Sequence, residues 1–121
     1  MFATMLSFLL TGPIPIIEAG PPPTVEPEGI YRVHLIQQGE EFLGVCTVKK
    51  GPEGYFLFWQ FDNGDRAQGV GLKDGNRLWV SWGKAGNLGI CCYRIELDKG
   101  NPTLVGERGT TERLTYLTGI K

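Results

Sequence analysis

The chain has 121 residues, with 12 Lys and Arg against 13 Asp and Glu, for a formal net charge of −1. That length fits one domain, and the balance lacks the basic face or stripe of a nucleic-acid binder. One histidine and three cysteines without a C-x-x-C pair do not make a tetrahedral metal shell, so no metal, cofactor or nucleic acid is expected.

Met1–Ile17 carries no charge. Seventeen residues is the lower edge for a membrane-spanning helix, and Pro13 and Pro15 work against one by removing amide donors and disfavouring helix before them. The sequence predicts a short helix over about Phe2–Thr11 and then an extended stretch. Phe2, Leu6, Phe8, Leu9 and Leu10 are its candidate anchor residues. A secretory signal is the alternative, with Ile17-Glu18-Ala19 as a tolerable cleavage site but no basic n-region. No Cys lies near the end of the apolar run, so a lipoprotein anchor is not expected. The first cation is Arg32, after Glu18, Glu26 and Glu28. A flank without Lys or Arg is disfavoured on the cytoplasmic side, so the domain is expected outside, in the periplasm or at the cell surface, associated with a membrane. The expected organisation is an anchor, docking or signal segment over 1–18, a linker over 19–29 stiffened by four prolines, and a β domain over 30–121.

From Ile30 on, short apolar runs alternate with Gly, Asn and Asp turns, the pattern of a sandwich or barrel. Strands are predicted over 30–36, 41–50, 54–61, 66–72, 77–83, 88–97, 102–108 and 112–120. Asn63-Gly64 is the strongest hairpin signal and predicts a type I′ turn. Its Asp-rich surroundings lack the spacing of a calcium loop. Eight strands joined by short turns predict an all-β, antiparallel up-and-down barrel, or a flattened barrel or sandwich. Alternation turns inward Tyr31, Val33, Leu35, Gly44, Cys46, Val48, Tyr55, Leu57, Trp59, Phe61, Val70, Leu72, Leu78, Val80, Trp82, Cys91, Tyr93, Ile95 and Leu114. So aromatic an interior predicts a packed barrel and argues against a small-molecule ligand. Vicinal Cys91 and Cys92 point to opposite faces, so at most one shares an interior with Cys46. A buried, reduced thiol is expected, and a Cys46–Cys91 disulfide only in a flattened barrel.

The strings GIYRV, GYFLFWQF, GVGLKDGNRLWVSWG, GICCYRIEL and ERLT together resemble small extracytoplasmic β domains of bacteria, common in planctomycete-like genomes and often labelled fibronectin-binding. The resemblance spans about Gly29–Thr115 and rests on spaced Gly, aromatic and Glu-Leu-Thr positions. It implies a secreted or envelope location and brings no catalytic residues. The general plan is also similar to avidin-like and lipocalin-like barrels, but their biotin-site polar residues have no counterparts here.

The outward parity carries the site signal. Phe56 and Phe58 on one strand, Trp79 on another and Ile90 with Cys92 on a third are apolar where a half-buried sheet should be polar. Such a face marks a partner or membrane contact, unless the chain's own N-terminal segment covers it, the barrel is a two-layer sandwich, or the parity is reversed. Phe56, Phe58, Trp79 and Ile90 are therefore the candidate partner-binding residues. No catalytic constellation is visible: His34 stands alone on a polar face, and Glu40-Glu41 and Lys49-Lys50 flank turns. The expected function is that of a non-enzymatic extracytoplasmic accessory subunit docked on a membrane or membrane protein complex. A secreted barrel binding a ligand or host protein is the alternative.

Overall fold

The computed structural model describes residues 25–120. Eight strands follow in chain order: β1 (Gly29–Gln37), β2 (Glu40–Lys50), β3 (Tyr55–Phe61), β4 (Arg66–Asp74), β5 (Arg77–Lys84), β6 (Asn87–Asp98), β7 (Asn101–Arg108) and β8 (Glu112–Thr118). Each pairs antiparallel with the next, and β8 pairs back onto β1, so the meander closes into a barrel. The expected up-and-down barrel is the fold, in its closed form and not as a sandwich. Closure leaves no unpaired edge. The candidate anchor residues Phe2, Leu6, Phe8, Leu9 and Leu10 lie outside the described residues, as does most of the expected linker.

The connections explain the tight meander. Gln38-Gly39, Ala85-Gly86 and Lys99-Gly100 each have positive φ at both positions, the type I′ pattern whose twist matches the flanking strands. Asn63-Gly64 does not follow its prediction: Gly64 alone has positive φ, at 94°, and the loop spans four residues. The reason is a side chain. Asn63 Oδ1 accepts from the Asp65 amide at 2.9 Å, an Asx turn that takes the place of a backbone reversal.

Alternation fills the interior with Tyr31, Val33, Cys46, Val48, Leu57, Leu78, Val80, Tyr93, Ile95, Leu104 and Leu114, all nearly or fully buried. Strand β4 departs from the predicted parity: Val70 and Leu72 point outward, 54% and 65% exposed. Its inward positions are Ala67, Gly69 and Gly71, paired with Trp59, Leu57 and Tyr55 of β3. A Cβ on Gly69 would stand 2.7 Å from the Ser81 carbonyl oxygen and 3.1 Å from Val80 Cγ1. The interior has no room there, so small residues face in and the branched ones are turned out.

The two barrel ends differ. Val25–Glu28 packs over the end where β1 starts and β2 stops. There the Tyr31 hydroxyl donates to the Pro27 carbonyl at 2.6 Å, Pro27 is fully buried, and Val25 rests on the core. Glu28 accepts from the Lys50 amide at 2.8 Å, and Glu26 pairs with the Lys50 ammonium at 3.1 Å. The end formed by the β1–β2, β3–β4, β5–β6 and β7–β8 turns is open. The expectation of a packed interior therefore holds only for the sealed half. The three thiols are free. Cys46 and Cys91 face inward; Cys92 faces outward yet is buried, beside Arg77, Glu107 and Arg108.

Candidate functional site

Two places on the barrel combine unusual chemistry with access. The first is the outer face of β3–β6. Cross-strand pairing aligns Phe56 with Val70, Val70 with Ser81, and Ser81 with Ile90. The next row aligns Leu72 with Trp79 and Cys92. Three of the four predicted contact residues, Phe56, Trp79 and Ile90, thus line one groove with Val70 and Leu72. Phe58 lies on the same face but apart, against Gln68 and Thr47. Phe56, Phe58 and Trp79 are 40–47% exposed and Ile90 is 70% exposed. Val70 and Leu72 were missed because their predicted parity was reversed.

Charge borders this groove. Lys49 stands opposite Phe56. On the far side Arg77 pairs with Glu107 at 2.6 Å and Arg94 with Glu96 at 2.6 Å. Those pairs hold the Glu107 carboxyl below and the Arg77 guanidinium above their ordinary values. An apolar centre with a polar rim is the layout of a protein contact surface.

The second place is the open end. A cavity of about 620 Å³ enters the barrel there, walled by Leu35, Phe61, Ala67 and Trp82 and reaching Trp59, Cys91, Tyr93 and Glu112. The Trp82 ring occupies the space that a side chain at Gly89 would need. Glu112 is 7% exposed. Burial raises its carboxyl to about 7, against the smaller opposing pull of the Tyr93 hydroxyl and the Trp59 indole. Tyr93 donates a hydrogen bond to Glu112 Oε1. The Trp59 N–H is buried too, near this carboxyl but outside hydrogen-bond geometry, and so without a partner. Glu112 was not singled out from the sequence, though it stands two positions before inward-facing Leu114 and shares its parity.

This arrangement offers little to a covalent mechanism. Burial pushes the Cys91 thiol up to about 12 and the Cys46 thiol well above its usual value, so neither is a thiolate nucleophile near neutrality. His34 pairs with Glu41 on the outer surface of β1 and β2, away from the cavity. Asp65 closes its turn and pairs with Lys84 at 3.0 Å. Among the described residues no cluster of three metal-ligating side chains occurs, and no helix is long and apolar enough to cross a membrane. No protein-family profile, curated protein or solved structure matches the chain.

Proposed function

We propose that this barrel is a non-enzymatic accessory domain that docks through the outer face of β3–β6 onto a membrane protein complex on the extracytoplasmic side. One observation carries the reading: Phe56, Val70, Leu72, Trp79 and Ile90 form adjoining cross-strand rows on a surface exposed to solvent. An outward strand position gains little for folding from a large apolar side chain compared with an inward one, and patches of this kind mark contacts. Large aromatics at the centre and ion pairs at the border match how binding energy is distributed in protein interfaces. The uncharged leading segment and its acidic flank support the membrane setting and its outer side.

The test is affinity co-purification of membrane proteins with the full chain after detergent solubilisation, which removes any hold on lipid, for the unaltered chain and for the double substitution Phe56→Ser and Trp79→Ser. Both side chains are about half exposed, so the barrel should stay folded, with the pair costing about 1 kcal/mol. Co-purification of the partner should fall to background. Unchanged co-purification with a folded double variant would refute docking through this face, and unfolding would show both residues to be structural.

A further inference from the structure

The cavity at the open end is separate from the docking face and has the dimensions of a small-molecule site, which spans about 300–1,000 Å³. Its upper wall is apolar and aromatic, from Leu35, Phe61 and Trp82. Its floor gathers the Glu112 carboxyl, the Tyr93 hydroxyl and the Trp59 indole N–H. Buried polar groups are ordinarily paired: the Tyr93 hydroxyl donates to Glu112, and the Trp59 N–H, in a residue 5% exposed, lies near the same carboxyl and favours its charged form. We infer that this cavity binds a small organic cation, a primary amine or amidine head on an apolar or aromatic body, with Glu112 as its counter-ion.

The charge pattern selects a cation. Among the described residues Glu112 is the carboxyl lining the cavity, and none of them brings a cation to the floor. Lys84, at the rim, is held by Asp65 at 3.0 Å and lies over the Phe61 ring at 5.8 Å. An ionised carboxylate has about four acceptor positions: enough for the Tyr93 hydroxyl, the Trp59 N–H and an ammonium. An anion would meet the charge of Glu112. A neutral molecule would leave the carboxyl's titration unchanged, and its apolar body would gain nothing from the charge.

Titratable groups reach Glu112 from β6 (Cys91 and Tyr93) and from β2 (Cys46), and each feels its charge. Burial raises all three well above neutrality, so they stay uncharged where Glu112 titrates. A cation then competes with one proton. Affinity should rise about tenfold per pH unit below the carboxyl's value and level off above it.

The experiment is calorimetry on the full chain with 2-phenylethylamine, beside neutral 2-phenylethanol and anionic 3-phenylpropanoate. The amine should bind best and tighten about thirtyfold between pH about 5.5 and pH about 8, while binding of the alcohol stays flat. Glu112→Gln should bring the amine down to the alcohol's affinity and abolish the pH dependence. Should that variant misfold, carbon NMR of the Glu112 carboxyl in the unaltered chain gives the same decision, since saturating amine must shift its titration to lower pH. Absence of amine binding at millimolar concentration, equal binding of amine and alcohol, or an unmoved Glu112 titration would each overturn the proposal.

Discussion

A carboxyl held near 7 by burial sets the sign of this barrel's response to pH. Between its ordinary 4.5 and about 7, folded Glu112 keeps a proton that the unfolded chain has released. The stability present in full below about 4.5 is lost as the pH rises through 7, by about 3 kcal/mol in all. Glu26, Asp65 and Glu107 are shifted downward instead. They add stability only as pH rises through the ordinary carboxylate range, and their exposure keeps that gain small. Urea unfolding should therefore show a domain less stable at pH about 8 than at pH about 5. Glu112→Gln, which still accepts from Tyr93, should flatten the profile and raise stability at the higher pH. A profile in the unaltered chain that climbs across this window would show that Glu112 ionises freely. The sequence carried the clue in plain form. Leu114 was assigned to the interior, and alternation then places Glu112 there as well. What it did not carry was depth, because a polar residue at a strand start ordinarily reaches water past the rim.

Strand β4 shows what patterning can and cannot decide at the level of an element. Turn residues bracket its ends well, and its predicted span of 66–72 falls within the observed Arg66–Asp74. The same holds for the other strands to within one or two residues, because Gly, Asn and Asp mark every reversal. Facing is harder. Val70 and Leu72 are the large apolar residues of β4, so alternation alone sends them inward. The barrel reverses this because Leu57, Leu78 and Val80 already occupy the space opposite, leaving room only for Ala67, Gly69 and Gly71. Neighbouring strands must be counted together to see it. Two substitutions separate the faces. Gly69→Val forces a branched side chain against the Ser81 backbone and should cost about 1–3 kcal/mol or more. Val70→Thr, on the outside, should stay within about 0.5 kcal/mol. Thermal melts of both variants check the assignment, and a reversed order of cost would restore the predicted parity.

For the molecule as a whole, the ring of strands is uneven. Strands β7 and β8 share three paired positions, Thr103 with Thr115, Leu104 with Leu114 and Val105 with Arg113, whereas β1 and β2 share nine. Towards the open end their ladder stops, and the backbone amide of Ile36 on β1 donates to the Thr111 carbonyl at 3.2 Å. Native-state hydrogen exchange should find the β7–β8 amides opening before those of β1–β2, since local stability follows local pairing and burial. Equal protection around the ring would show that the barrel opens only as one unit.

Pairing of Ile30 with Thr118 brings both described chain ends to the base that Pro27 stoppers. A tether attached through either end therefore holds the barrel like a cup standing on its foot. Its brim turns away from the support, and the greasy flank of β3–β6 is presented sideways. A neighbour could press against that flank while solutes still come and go overhead.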